Sequence, residues 1–219
     1  MRILAYYAKP PGACARSIHA TRWSFLVVSA TVARMSPHLA WPRLFHLEPS
    51  DTSFTPRATF VIDNRAHIQA APELCFDELV TLAHGREWLE HFVDVRWVGP
   101  GETPIPPDPY VIGRRSDQTF NFMTLRIQII AAERGRRLVS SVDSCSLPLA
   151  KWMVEEVLFE PTEDGGTDFR WTISSASLRL TQPFLPLIEP LFREMFRKST
   201  ERFAAFCAKL GQHGGSPPE

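Results

Sequence analysis

An amphipathic pattern near the C-terminus constrains the fold of this chain more than any other feature. Between Ile188 and Leu210, mostly apolar residues recur at intervals of three or four, the spacing of one helix face. They are Ile188, Phe192, Met195, Ser199, Phe203, Phe206 and Leu210. The pattern predicts a helix of about 20–28 residues, with Pro190 in its first turn and Gly211 at its end. Such a helix must bury its apolar face against another layer.

The region before this helix has the period-two alternation of half-buried strands. Strand patterns occupy residues 58–69, 93–98, 110–120, 122–132, 138–144, 152–159 and 169–173. Gly135 and the segment Glu163–Gly166 predict hairpin turns, Pro72 opens a short helix after the first strand, and residues 86–92 predict a second one. An antiparallel sheet built from sequential hairpins needs cover for its apolar face, which the C-terminal helix can provide. The fold class predicted is therefore α+β.

Charge divides the chain into two unlike parts. The 219 residues carry 24 Lys and Arg against 24 Asp and Glu, and this net charge of zero argues against a nucleic-acid partner. The first fifty residues carry six basic side chains and one acidic one, +5, which leaves −5 for the remaining 169. The longest apolar run, Phe25–Val28 extended by small residues to Ala33, is about half of what a membrane-spanning helix needs.

We interpret residues 1–56 as an N-terminal extension, 57–211 as one domain and 212–219 as a flexible tail. The extension is expected to be partly disordered or to reflect a mis-assigned start, because Met35 offers a second initiation site. Prolines are expected to keep its last part extended up to the first strand. They are Pro37, Pro42, Pro49 and Pro56.

Four cysteines, spaced roughly 60 to 70 residues apart without a CxxC pair, indicate neither a zinc site nor a disulfide framework. A reducing, cytoplasmic location is the simplest interpretation of this spacing. The alternative is export, if residues 1–33 form a secretory signal. Oligomeric state has no sequence signal here.

Several short sequence segments resemble those of the START-like, or SRPBCC, superfamily, which includes polyketide cyclase/dehydrase and lipid-transport-like proteins. They are Ile68–Leu79 at the first strand–helix junction, Ile112–Arg115, Glu133–Leu138, and Phe159–Pro161 leading through Gly165–Thr167 to Phe169–Trp171. Their order and spacing extend over residues 58–210. The resemblance implies a helix-grip (Bet v 1-like) fold, in which a curved seven-stranded antiparallel sheet wraps around the C-terminal helix and leaves a cavity between them.

In many relatives, as the resemblance implies, this cavity holds a lipid, sterol, polyketide or other hydrophobic small molecule. Ligand pockets are generally concave and mostly apolar with few polar groups, which the Phe- and Trp-rich composition suits. The predicted ligand-binding residues are Trp88, Phe92, Met123, Leu125, Ile127, Phe159, Phe169, Trp171, Phe192, Met195 and Phe196. Ordinary core packing is the alternative for each of them. The proline-rich loop 99–109, together with Trp88, is the predicted lid.

Sequence motifs of catalysis are absent, with no GxSxG elbow, Walker loop, HExxH or dinucleotide fingerprint. Hydrolase, kinase and dehydrogenase activities are therefore excluded, and no cofactor is predicted. His84, Glu87 and His91 are interpreted as solvated side chains and not as a metal site, since no third ligand accompanies the two that share a helix face.

Two polar pairs are the best candidates for groups inside a cavity. They are Arg114 with Arg115, beside Asp117, and Glu155 with Glu156. Alternation lets only one member of each pair point inward, and an exposed sheet face is the expected place for both pairs. If the protein is an enzyme, Arg115 as a carbonyl-polarising group and Tyr110 as a phenol acid are the candidate catalytic residues.

Three classes of function follow. The most economical is a binding protein for a hydrophobic small molecule, which needs only the cavity. A polyketide cyclase or aromatase-type enzyme is the first alternative. The second is a co-chaperone-like module that binds proteins, which predicts a cavity filled by side chains and an exposed apolar patch.

Overall fold

Strands and helices follow one another in the order that the sequence patterns predict. The structure is a computed structural model that describes residues 44–105 and 112–214. The strands are β1 (Phe45–His46), β2 (Phe60–Ile68), β3 (Phe92–Val98), β4 (Arg115–Phe120), β5 (Thr124–Glu133), β6 (Arg137–Cys145), β7 (Ala150–Pro161) and β8 (Thr167–Ser177). The helices are α1 (Pro72–Thr81), α2 (Gly85–Trp88) and α3 (Leu185–Gly214), with 3-10 turns at Thr52–Arg57, Pro100–Glu102 and Gln182–Phe184.

Seven strands form a curved antiparallel sheet in the order β2-β8-β7-β6-β5-β4-β3. Consecutive hairpins connect β3 to β8, and β2 pairs with β8, so that Ile62 lies opposite Ile173. Gly135 and Gly165 adopt positive φ angles of 70° and 79° in the two predicted hairpin turns, a conformation that glycine reaches at little cost. The predicted α+β helix-grip architecture is thus confirmed, with the two-residue β1 as an additional strand paired to the end of β6.

Alternation along the strands gives the sheet one strongly apolar face, which we call the concave face. It carries Ile62, Leu125, Ile127, Val157 and Phe169, all in the main hydrophobic core. Helix α3 packs on this face, since the rings of Phe203 and Phe169 lie 5.1 Å apart between centroids. The apolar stripe of the helix and the apolar face of the sheet therefore bury each other, as both patterns predict.

On the opposite, convex face, one buried carboxylate joins three strands. Asp117 is 1% exposed and lies between Arg96 on β3 and Arg126 on β5. Its Oδ2 is 2.8 Å from Nη2 of Arg96, and its Oδ1 is 2.8 Å from Nε of Arg126. Burial acts to raise the pKa of Asp117, but the hydrogen bonds from the two guanidinium groups outweigh it, and the pKa lies below its ordinary value.

Residues 44–58 also pack against the convex face. Phe54 contacts Trp152 edge-on, with ring centroids 5.4 Å apart. The expectation of an extended chain through Pro56 was wrong for this stretch, because Thr52–Arg57 forms a 3-10 turn capped by Asp51. The turn bonds Phe54 N–H to Asp51 and Ala58 N–H to Thr55, so it needs no N–H from Pro56.

Three helix boundaries differ from the sequence prediction. One is the end of α3, which continues past Gly211 to Gly214. Helix α2 ends at Trp88 instead of Phe92, because His91 takes a left-handed φ of 63° and turns the chain into β3. Helix α3 begins at Leu185, so Pro186 and not Pro190 lies in its first turn. Among the described residues, no helix combines the length and the apolar character needed to span a membrane.

Candidate functional site

One end of the concave face is filled by aromatic side chains that touch one another. Trp88 on α2 lies against Phe203 of α3, with ring centroids 4.8 Å apart, and donates from Nε1 to Oε1 of Glu78 at 3.0 Å. Phe203 also contacts Phe169, which contacts Phe159 at 5.5 Å. Three of the predicted ligand-binding residues therefore belong to a continuous packed cluster around Phe203.

The other end carries a second aromatic group nearer the start of α3. Phe92 contacts Phe120 at 5.9 Å, and Phe192 of α3 contacts Phe122 at 6.2 Å. The four remaining predicted residues of this end, all buried, are Met123, Leu125, Ile127 and Met195. Between the two ends, Trp171 meets Phe196 at 5.3 Å. Apart from Met195, which is buried outside the main core cluster, the structure thus brings the predicted residues into one core between sheet and helix, and ligand contact stays a prediction for each.

The structure does not place either of the two candidate catalytic residues between the concave face and α3. Arg115 shares a face of β4 with Asp117, and its Nε pairs with Oδ2 of Asp143 at 2.7 Å. Its side chain is 51% exposed on the convex face, turned away from the concave one. Tyr110 lies outside the described residues. The role of Arg115 as an electrophile inside the concavity therefore has no geometric support.

The predicted lid is described only in its first part, residues 99–105. There the chain turns back along β3, since Ile105 N–H donates to the carbonyl of Trp97 at 3.1 Å and Pro104 forms a bridge with Val98. Ile105 packs against the hydrophobic core, and a Cβ on Gly99 would come within 2.6 Å of its Cγ2. This part of the loop covers core at the β3 edge.

The most informative polar group on the concave face is Glu155. It lies on β7 between Met153 and Val157, both of which pack in the main core. Its Oε2 accepts a hydrogen bond from Ser140 Oγ at 2.9 Å, and its Oε1 accepts one from Trp171 Nε1. The expectation that both acids of the pair face outward was therefore wrong for one of them.

The neighbouring Glu156 follows that expectation. It lies on the convex face, where Arg137 Nε donates to its Oε1 at 2.8 Å. The two adjacent glutamates thus occupy opposite environments, one solvated and paired with a cation, the other under α3.

Glu155 has unusual electrostatics for a carboxyl group. Within residues 44–105 and 112–214, no Lys, Arg or His forms an ion pair with it. Burial raises the pKa of Glu155, and the hydrogen bonds from Ser140 and Trp171 lower it by less. The residue nevertheless keeps part of its surface accessible. A carboxyl with a perturbed pKa that faces a concave apolar surface is a candidate for ligand or substrate contact.

Two donors on the concave face lack partners. Asn64 lies opposite Trp171 in the strand register, and its Nδ2 is buried, as is Nε1 of Trp97. Neither atom forms a hydrogen bond with any residue that the structure describes. Buried polar atoms are nearly always paired with protein or water, so unpaired ones call for an explanation. In the sequence, Asn64 interrupts an apolar face, and this interruption was the available signal for it. No such signal separates Glu155 from Glu156, because each interrupts an alternating apolar run.

Two further features lie away from this surface. An open groove of about 550 Å³ lies outside the concave face and is spanned by an ion pair between Arg134 and Asp77. It is lined by Ala71, Glu73, Leu74, Asp77, Glu78, Thr81, Arg134 and Leu210. His84 pairs through Nδ1 with Glu78 Oε2 at 2.9 Å, which raises the pKa of His84. These contacts join α1 to the start of α2.

We expect the stability of the protein to depend on the ionisation of Glu155. Because its pKa is raised in the folded state, its stabilising contribution is complete below pH ~4.5 and is lost as the pH rises toward the folded-state pKa. Glu155→Gln, which imitates the neutral acid, should therefore increase the free energy of unfolding by about 1–2 kcal/mol at pH 8 and change it little at pH 4. Urea unfolding at both pH values measures this, and an equal change at both would contradict it.

A family model described as "Polyketide cyclase / dehydrase and lipid transport" matches residues 59–207, more than half of the chain. The chain belongs to this family. The superfamily resemblance seen in the sequence is thereby confirmed. No curated protein matches the chain.

Solved structures similar to this polyketide cyclase/dehydrase and lipid transport family member share its fold. A hypothetical protein from Helicobacter pylori, 6% identical, aligns over 77% of this chain and 99% of its own with a TM-score of 0.56. A protein from Thermus thermophilus, 12% identical, aligns over 72% and 100% with a TM-score of 0.52. XoxI from Bacillus cereus, 10% identical, aligns over 68% and 96% with the same TM-score. At these identities the likeness concerns the fold alone.

Proposed function

We propose that this protein binds a hydrophobic small molecule, a lipid, polyketide or similar compound, between the concave face and α3. The observation that carries the proposal is an apolar concave face interrupted by few polar groups. Within the part of the chain that the structure describes, Glu155 lacks a cation partner, and Asn64 Nδ2 and Trp97 Nε1 lack acceptors. Apolar walls with a small number of placed polar groups are the usual composition of ligand sites. The family description, which names lipid transport, supports the same class of ligand.

Ligand extraction from the full chain tests the proposal directly. Protein purified from its own host should release a hydrophobic compound into organic solvent, in an amount close to one per chain. The emptied protein should bind a neutral apolar fluorescent probe, N-phenyl-1-naphthylamine, in a saturable manner. A protein that releases no compound and binds no probe contradicts the proposal.

A pair of substitutions on one strand locates the site. Met153→Trp adds a large side chain on the concave face next to Glu155, and we expect it to weaken probe binding at least tenfold by occupying ligand space. Leu158→Trp, on the convex face of the same strand, is the matched control and should bind as the wild type does. Both variants are checked for unchanged melting temperature, and equal probe affinity in the two would contradict a site under α3.

A second candidate, the protein-binding module, is favoured by one observation. The segment leading into α3 and the first turns of that helix expose a stripe of apolar side chains, each more than half exposed. They are Leu180, Phe184, Leu187 and Leu191. Exposed apolar patches are typical of interaction surfaces. The double variant Leu187→Ser/Leu191→Ser should then lose a co-purifying partner and keep probe binding, whereas recovery of the same partner by both proteins contradicts this role.

The cyclase alternative has less support. Of its two candidate groups, Arg115 lies on the convex face paired with Asp143, and Tyr110 is outside the described residues. A cyclase could use Glu155 as its acid or base, since this carboxyl faces the concavity with a raised pKa.

A further inference from the structure

We propose that Glu155 is the polar recognition residue of this site, and that the ligand is an otherwise apolar molecule with a hydroxyl group that hydrogen-bonds to the Glu155 carboxyl. This inference rests on the proposed function, because it specifies the chemistry of the ligand at the same site. Neither the family description nor a sequence motif assigns a role to this residue.

Among the described residues, the side chains that surround Glu155 are uncharged. Ile173 lies opposite it on β8, and Ser140 lies opposite it on β6. Along its own strand the neighbours on the same face are Met153 and Val157. A ligand that lies along this part of the sheet would therefore meet the apolar side chains of Met153, Val157 and Ile173 and, among them, a carboxyl group that is held by Ser140 and Trp171. Such a surface accommodates an apolar body and fixes its orientation through one polar contact.

The hydrogen bonds present leave the carboxyl incompletely paired. Each of its two oxygens accepts one bond, from Ser140 Oγ and from Trp171 Nε1. An ionised carboxylate has about four acceptor positions, so about two are left, and a neutral carboxylic acid has an O–H to donate as well. A purely hydrocarbon ligand would shield this group from water without pairing it, which is unfavourable for a polar group.

Other polar ligands fit less well. A fatty-acid carboxylate would place a second negative group beside Glu155, which is unfavourable in a site of low dielectric constant. An ammonium group requires the ionised form of Glu155, which burial opposes. A hydroxyl group both donates and accepts, so it pairs with either protonation state of the carboxyl. Of these groups, a hydroxyl is therefore the one whose binding beside Glu155 has the lowest free-energy cost.

Three naphthalene probes that differ in one substituent test the inference. Equilibrium dialysis measures the affinity of the full chain for 1-naphthol, 1-methylnaphthalene and 1-naphthoic acid at pH 7. We expect the wild type to bind 1-naphthol at least tenfold more tightly than either of the others. Glu155→Leu should abolish this preference while 1-methylnaphthalene binds as well as before or better, and Glu155→Gln should keep part of it.

Glu156→Gln is the matched control, because it alters the adjacent carboxyl on the convex face and should leave all three affinities unchanged. Equal affinity of the wild type for 1-naphthol and 1-methylnaphthalene overturns the inference and leaves the proposed apolar site intact. A preference for 1-naphthol that persists in both Glu155 variants also overturns it. Failure of every probe to bind the wild type contradicts the proposed function itself, so the two failures are distinguishable.

Discussion

Replacing Phe203 by alanine is expected to lower the free energy of unfolding by about 3–5 kcal/mol, which is typical of a fully buried phenylalanine. The side chain of Phe203 is 0% exposed and contacts Trp88 on α2 and Phe169 on β8. Its removal leaves a cavity where the helix, the short helix and the sheet meet, and the surrounding rings cannot all collapse into it. Urea unfolding followed by far-UV circular dichroism measures the loss.

The matched control for this prediction is Phe184→Ala. Phe184 lies just before α3 and is 58% exposed, so its truncation should change the free energy of unfolding by no more than about 0.5 kcal/mol. If the two variants lose similar stability, Phe203 does not anchor α3 to the sheet. The packing described between helix and concave face would then be incorrect.

The second large effect is expected at Asp117. Asp117→Ala should lower the free energy of unfolding by about 3–5 kcal/mol at neutral pH, because it leaves Arg96 and Arg126 side by side without their shared anion. The folded-state pKa of Asp117 is depressed, so its contribution is present above its ordinary pKa of about 4 and is lost as the pH falls below it. The difference between variant and wild type should therefore shrink in acid, as urea unfolding across pH 2–7 can measure.

Asp143→Ala serves as the comparison for Asp117. Asp143 also pairs with an arginine on the convex face, but its partner Arg115 is half exposed, and an ion pair in that setting contributes about 1 kcal/mol or less. Equal losses in the two variants, or a loss at Asp117 that does not depend on pH, would show that the buried ion pair does not stabilise the three strands as inferred.

Much of the fold was predictable because its signals are local. The alternation around Leu125 and Ile127 identifies a strand with one apolar face, Gly135 and Gly165 mark two turns, and the spacing that includes Phe203 identifies a long helix. The errors arose where the conformation has no local signal. Nothing in the neighbouring residues predicts that His91 takes a left-handed φ, or that Pro56 lies in a turn stabilised by packing of Phe54 on the sheet.

The candidate site was predictable in outline and less so in its polar groups. Residue type identified Trp88, Phe169 and Trp171 as inward aromatic residues, but type alone does not separate packing from ligand contact. Alternation alone does not assign Glu155 to the concave face, since the residues two positions away are apolar for Glu155 and for Glu156 alike. The general rarity of buried carboxyl groups argued for an exposed position for both. Only the tertiary structure shows the two donors, from Ser140 and Trp171, that make this burial tolerable.

The pairing of β2 with β8 makes the assembly of this sheet depend on chain that is synthesised late. Ile62 and Ile173 are neighbours in the register, although more than a hundred residues separate them along the chain. During synthesis β2 remains unpaired until β8 has been made, and its apolar face remains uncovered until α3 has been made. Closing so long a loop also slows folding after release. We infer that most of the domain becomes stable in a single late step, and that a nascent chain ending before β8 exposes the concave face.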